Sequence, residues 1–485
     1  MFRMRSNAAV VSCILVLVAV GGCAAKAGGS FDDQPIGQTE VTSTSQALSQ
    51  GKAQGCQHGS DSSLAGKRLA NLHPFKNGNG IHATYSSRDG DFLDTENPFF
   101  DDSLGTNGRS CETCHMAEDG WALSAANVQK RFETSCGTDP LFRLVDGANN
   151  PNAAVSTLEE KRDAYSLLLT KGLIRIQERI PDDAEFELVD VDDPYNNDLT
   201  KGLSVFRRPL PAMNLNFNAV IMWDGREPNL IEQARNAILG HAQGLVSPDD
   251  ETLQEIVDFQ SALFTTQIQA NGLGDTSGDG VHGDPVTFSQ QEFFPNMNRD
   301  VSGFPPVILE KTLGPDVFTV FEAWADSPNP NRASVARGEA IFNRREFFDP
   351  VGGPDTTCAE CHNAPNAGSF TGPTEPIPPF GGMRTVRVAD GPFRTPDMPL
   401  YTVRNKTTGE TRETTDPGMA FRTGKWGDVS RFKAPHLRGL ASRAPYFHNG
   451  SAATIEDVVD HYDTIDAIDF TDQERADLIA FLKAL

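Results

Sequence analysis

Apolar side chains recur at helical spacing in four stretches of this chain, and they alternate as strands almost nowhere. Leu158, Tyr165, Leu168, Leu169 and Ile174 predict a helix over residues 157–180. Residues 333–342, 454–462 and 471–485 predict three more, and Thr471 followed by Glu474 has the spacing of a capping box. Long polar connections lie between them: residues 272–305 are rich in Gly, Asp, Asn and Pro, and residues 363–420 in Pro, Gly and Thr. Ser327-Pro328-Asn329-Pro330 is a breaker cluster, which predicts a boundary between a first folded region, 61–330, and a second, 331–485. The pattern predicts a mostly α protein with long loops, as expected where a large cofactor supplies core that secondary structure would otherwise fill.

The N-terminus reads as an export signal over residues 1–23. Arg3 and Arg5 precede an apolar run, 8–20, that is too short to span a bilayer comfortably. Val20-Gly21-Gly22-Cys23 resembles a lipobox, in which Cys23 would carry lipid; ordinary cleavage after Ala25 or Ala27 is the alternative. Residues 24–60 are rich in Gly, Ser, Thr, Gln and Ala and predict a flexible tether. The expected location is the periplasm, free or lipid-anchored.

Composition changes the picture in one respect. The 485 residues carry a formal net charge of −24, which argues against nucleic acid as a partner and suits a basic soluble one. The plainer explanation is that acidity only keeps the protein soluble.

The eight cysteines sort by position. Cys13 and Cys23 belong to the leader, and Cys111/Cys114 and Cys358/Cys361 are close pairs. Cys56 and Cys136 remain, and outside the cytoplasm two spare thiols are expected to form a disulfide. Each close pair runs directly into a histidine: Cys111-Glu112-Thr113-Cys114-His115 and Cys358-Ala359-Glu360-Cys361-His362. This spacing serves c-type haem, because two thiols add to the two vinyl groups and the adjacent imidazole ligates iron. A zinc site would not need a His after each pair, and a redox dithiol would be expected once, near a βαβ pattern. The chain is therefore expected to hold two covalent haems, with His115 and His362 on the irons. The opposite face of each iron decides function: a second side-chain ligand makes an electron carrier, whereas an open face admits peroxide or oxygen.

Further motifs resemble the bacterial dihaem cytochrome c peroxidase family. Asn97-Pro98-Phe99-Phe100 through Asn107-Gly108-Arg109-Ser110 looks like that family's approach to its peroxidatic haem. Trp223-Asp224-Gly225-Arg226 is similar to its W-D-G-R signature. Phe432-Lys433-Ala434-Pro435-His436-Leu437-Arg438-Gly439, followed by Ala444-Pro445-Tyr446-Phe447-His448-Asn449-Gly450-Ser451, is similar to its C-terminal signature. The resemblance covers about 95–125, 205–245 and 335–485; residues 136–205 and 265–330 are longer than it leads one to expect and read as insertions. The MauG type, which oxidises a protein substrate, shares the scaffold.

The resemblance implies two cytochrome c-like domains with one haem each. It implies electrons entering at the His362 haem from a small redox protein of cytochrome c or cupredoxin type, crossing by way of Trp223, and reducing hydrogen peroxide at the His115 haem. The second haem's sixth ligand is Tyr462 by position, with His461 and Met419 as alternatives; phenolate lowers a haem potential relative to thioether. In the first haem's distal pocket Gln233 matches the family, but Gln243 stands where the family has a Glu that moves the peroxide proton. Gln cannot move a proton, whereas the neighbouring His241 can. His241 is thus a candidate acid–base residue, a candidate iron ligand, or a histidine on an ordinary helix face. His448 and His436 are expected to shape the second pocket by hydrogen bonding. The resemblance admits calcium between the domains, through Arg443 and Pro445 carbonyls with Arg208 or Asn214 at the family's Asn position, and it admits a homodimer; the sequence leaves both open. Competing functions are an enzyme of the MauG or oxygenase type acting on an organic or protein substrate, and a pure electron carrier.

Protein made in a haem-maturing host is expected to give a pyridine haemochrome spectrum and a mass increase of two porphyrins. An increase of one would remove the basis of every functional expectation above.

Overall fold

Capping chemistry starts the C-terminal helices where the pattern puts them. Thr454 accepts from the Asp457 N–H and Asp457 returns the bond, opening the helix Ile455–Asp466. Thr471 and Glu474 do the same for the helix Asp472–Ala484. Asn329 caps the helix Pro330–Arg344, so the breaker cluster is its start, with proline at the position where a missing N–H costs nothing. Leu478, Ile479, Phe481 and Leu482 share one buried core with Val335, Ala336 and Phe342 of that helix. The two helices cross closely at Gly338, where a Cβ would lie 2.0 Å from the Asp477 carbonyl oxygen.

In this computed structural model the described residues are 63–218, 220–291, 316, 319–349, 353–362, 364–368, 383–384 and 386–485. The leader, Cys23, the tether and Cys56 lie outside them. Cys136 is disulfide-bonded, and the other cysteines among the described residues are not, so its partner lies outside them too.

The N-terminal half builds its core from α4 (Leu230–Gly240) and α5 (Asp250–Ala262) against the segment leading into the first haem motif. Phe99, Phe100, Trp121 and Phe259 meet mostly edge to face, with centroids 5.2 to 6.4 Å apart, and Ile238, Leu253 and Ile256 close the cluster.

The expectation of a mostly α chain is corrected by strands in segments that read as helix or loop. The helix expected over 157–180 ends early, as α2 (Leu158–Ala164) and α3 (Ser166–Lys171). Gly172, at φ 62°, stops it, and Ile174–Glu178 continues as a strand paired antiparallel with Leu203–Arg207. Phe186–Asp192 pairs with Leu400–Asn405, which also pairs with Thr411–Thr414, inside the stretch expected to be loop. Gly80–Ser86 pairs with Pro74–Asn77 and with Leu263–Ala270. Alternation was weak because several of these strands are covered on both faces: all of Leu203–Arg207 is buried. The pairing of Phe186–Asp192 with Leu400–Asn405 also joins residues on either side of position 330.

A buried charge network ties these strands to the W-D-G-R turn. Arg207 donates to Asp416 (2.6 and 2.8 Å) and to Asp224 (2.6 Å), and Arg226 meets Asp224 (3.3 Å) and Glu178 (3.5 Å). Burial alone would raise the Asp224 carboxyl; the Arg207 and Arg226 charges outweigh it and hold it below its ordinary value. Its stabilising contribution is therefore present above the ordinary carboxylate range and is lost as pH falls through the folded value. Arg207→Leu would leave two carboxylates buried without their guanidinium and is expected to destabilise by about 3–5 kcal/mol. The denaturant midpoint at neutral pH, compared with that in acid where the penalty shrinks, checks both magnitude and sign.

Candidate active site

Each haem motif folds into a tight turn that points its residues at one cavity. In the first, Thr113 accepts from the Ser110 N–H (3.0 Å), and the His115 N–H reaches the Cys111 carbonyl (3.1 Å). In the second, the helix Cys358–Cys361 carries His362 at its end, with its N–H on the Cys358 carbonyl (3.1 Å). Both imidazoles are oriented alike. His115 Nδ1 donates to the Trp121 carbonyl (3.1 Å) and His362 Nδ1 to the Ala367 carbonyl (2.6 Å). With Nδ1–H donated to a carbonyl, Nε2 of each neutral imidazole carries the lone pair that can ligate a metal, the orientation that ligating histidines adopt.

Two cavities of nearly equal volume, about 160 and about 150 Å3, accompany the motifs. The first is lined by Cys111, Cys114 and His115 together with Trp223, Gln233 and His241. The second is lined by Cys358, Cys361 and His362 together with Trp223, His448 and Tyr462. The lining fits haem, a flat apolar ring with two carboxylates. Buried Lys433, Arg208 and Arg443 line the cavities and donate to main-chain carbonyls. Burial pushes the Lys433 ammonium down to about 8, a cost that a cofactor carboxylate would relieve. Among the described residues both ring nitrogens of His448 and Nε2 of His436 are buried in the cavity walls without a hydrogen-bond partner, and His448 Nε2 lies 3.9 Å from Asp416 Oδ2.

His241 lies just beyond the last residue of α4, and its Nδ1 is 2.6 Å from Asp146 Oδ2. Arg109 bonds the other carboxylate oxygen (2.5 Å) and also the carbonyls of Pro140, Leu141 and His241. Asn107 adds a second bond to the His241 carbonyl (2.8 Å). Burial would raise Asp146, but the charge of Arg109 prevails and keeps the carboxyl below its ordinary value. An ionised Asp146 accepts from Nδ1–H and leaves Nε2 as the acceptor of His241. Asp146 lies in a stretch that read as an insertion, and no local spacing marks it. Arg109 stood inside a recognised motif without a role.

The expected site residues separate accordingly. Gln233 and His241 line the first cavity, but Gln243 does not. α4 has ended and residue 243 adopts φ 55°, which turns its exposed side chain out to Asn107 Nδ2 (3.3 Å). In the second cavity Tyr462 is in the lining, whereas His461 Nε2 is bonded to the Val386 carbonyl (2.7 Å) and Met419 opens the short helix Ala420–Thr423. His448 stacks on Phe432 at 3.8 Å between ring centroids. Trp223 is in the wall of both cavities, with its indole N–H on the Arg208 carbonyl (2.8 Å). Two of the donors named for calcium hold hydrogen bonds within the protein: the Arg443 carbonyl accepts from Arg208 (2.9 Å), and the Asn214 amide pairs with the Thr265 main chain (2.8 and 3.0 Å).

Residues 96–269 match the family model of di-haem cytochrome c peroxidase. Cytochrome-c peroxidase IdrP1 of a Pseudomonas species is 24% identical over 314 residues, 59% of this chain and 69% of that protein. Methylamine utilization protein MauG of Methylorubrum extorquens is 25% identical over 293 residues, 58% of this chain and 64% of that protein. The crystal structure of a MauG-like protein associated with microbial copper homeostasis aligns over 86% of this chain and 93% of its own, at 15% identity and a TM-score of 0.38. Residues 96–269 are thus similar to the di-haem cytochrome c peroxidase family, and the curated relatives that span more of the chain carry the names cytochrome-c peroxidase and MauG.

Proposed function

We propose that the chain is a c-type dihaem oxidoreductase that reduces hydrogen peroxide at the His115 site with electrons received through the His362 site. The observation that carries this reading is the asymmetry of the two cavities across their shared Trp223: one offers a carboxylate-held imidazole, the other a phenol. Bound haem would supply redox-active iron and, at the His115 site, a coordination position for peroxide. The overall reaction, H2O2 + 2 H+ + 2 e− → 2 H2O, needs a proton moved from one peroxide oxygen to the other. His241 Nε2 takes the proton from the near oxygen and returns it to the departing one, while Asp146 holds Nδ1–H and stabilises the transient imidazolium. Gln233 offers an amide to orient the peroxide. The acidic chain suits a basic electron donor of cytochrome c or cupredoxin type, in the periplasm, with Cys23 as a lipid anchor.

A second reading, oxidation of an organic or protein substrate, is favoured by Tyr462 in the second cavity. A phenolate there would stabilise ferric iron and make higher oxidation states easier to reach. Measuring peroxide consumption with a reduced donor alone, against peroxide with candidate organic substrates, separates the two.

Electron paramagnetic resonance before and after one-electron reduction tests both against a pure carrier: a high-spin ferric signal is expected, and two persistent low-spin signals would mean that both irons are closed. His241→Gln is expected to lower peroxide turnover about 10²- to 10⁴-fold with haem content unchanged. Asp146→Asn should approach the same loss, because an amide can stabilise the wrong tautomer. Steady-state rates on haem-normalised protein decide, and a His241→Gln enzyme of undiminished rate would refute the assignment.

A further inference from the structure

Arg208 occupies the wall between the cavities and lines both. Its guanidinium is fully enclosed and collects three main-chain carbonyls: Lys171 (2.8 Å) on Nη1, and Leu123 (2.5 Å) and Arg443 (2.9 Å) on Nη2. These oxygens come from the stretch after the first haem motif, the end of α3, and the C-terminal signature. Among the described residues no carboxylate forms an ion pair with it. Gly172 closes the seat, since a Cβ there would stand 2.5 Å from Nη1. The main chain of Arg208 is committed as well: its N–H donates to the His448 carbonyl (2.7 Å), and its carbonyl accepts from the Trp223 indole (2.8 Å).

Three carbonyl oxygens gathered on one side chain are partial negative charges that a buried cation with several N–H groups holds better than a neutral donor. A neutral amide has two N–H groups against the five of a guanidinium and carries no charge to hold the oxygens together. We propose that Arg208 is a positioning residue for electron transfer between the haem sites: its side chain clamps the three segments, and its carbonyl thereby fixes the Trp223 indole between the cavities. The proposal rests on the reading that Trp223 lies on the electron path.

The test uses the full-length holoprotein. One electron equivalent is added, and redistribution between the haems is followed by stopped-flow absorbance. Arg208→Gln is expected to slow redistribution about tenfold or more, because small displacements of a positioned group are costly, and Arg208→Lys less, because it keeps the charge. Guanidinium ion added to Arg208→Ala is expected to restore the rate and to leave the unsubstituted protein unaffected. An Arg208→Gln protein with unchanged redistribution, while Trp223→Phe slows it, overturns the proposal; an unchanged Trp223→Phe overturns the electron path instead. If Arg208→Gln fails to retain two haems but Arg208→Lys retains both, the need for a cation is supported. If neither retains them, the residue is only a folding determinant and the proposal is wrong.

Discussion

A positive charge buried away from water is costly unless acceptors surround it, and the partition between the two cavities is organised around that demand. Arg207 meets it with two carboxylates, Asp224 and Asp416. Arg208, the next residue, meets it with three carbonyls. Adjacent guanidinium groups of the same strand end therefore bind opposite sets of partners. Together they join the W-D-G-R turn, α3 and the C-terminal signature into one wall. The desolvation cost is several kcal/mol per ion, so the arrangement holds only with all partners in place. It is also where a cofactor bearing carboxylates would be most welcome, since Lys433 and Arg443 beside it point their charge at main-chain oxygens alone.

On either side of that wall the two sites use the same anchoring device and differ in what faces it. The imidazoles of His115 and His362 are each tied through Nδ1 to a carbonyl a few residues on, a bond whose geometry is set by the local turn. The opposite walls are not local. His241 reaches the first cavity because α4 stops at Gly240 and because Asp146 and Arg109 receive it. Tyr462 reaches the second because the helix Ile455–Asp466 turns that face inward and leaves His461 to bond Val386. In a helix, successive residues are rotated by about 100°, so one position separates a side chain that lines the cavity from one bonded to a main-chain carbonyl.

Much of the site was legible in the amino-acid order where the chemistry is short-range. A C-x-x-C-H motif is five consecutive residues, so both could be read directly from the chain. Capping boxes span four residues, so the starts of the final two helices could be placed to within a residue, although the first of them runs four residues beyond its expected end. The helix over 157–180 was misjudged because Gly172 and the strand beyond it depend on a partner strand that the local pattern does not contain. Strands buried on both faces lose the alternation that would have revealed them.

Residue order alone locates the two C-x-x-C-H motifs, the imidazole that closes each and the starts of the capped helices, and it sets the net charge. Those features follow from bonds and periodicities contained within a few residues. Only the tertiary structure decided that His241 is held by Asp146, 95 positions away, that Gln243 turns out of the site, that Tyr462 rather than His461 enters the second cavity, and that Arg208 gathers carbonyls from three segments. Such contacts arise from packing and from the need to satisfy buried polar groups, and neither leaves a local trace in the order of residues.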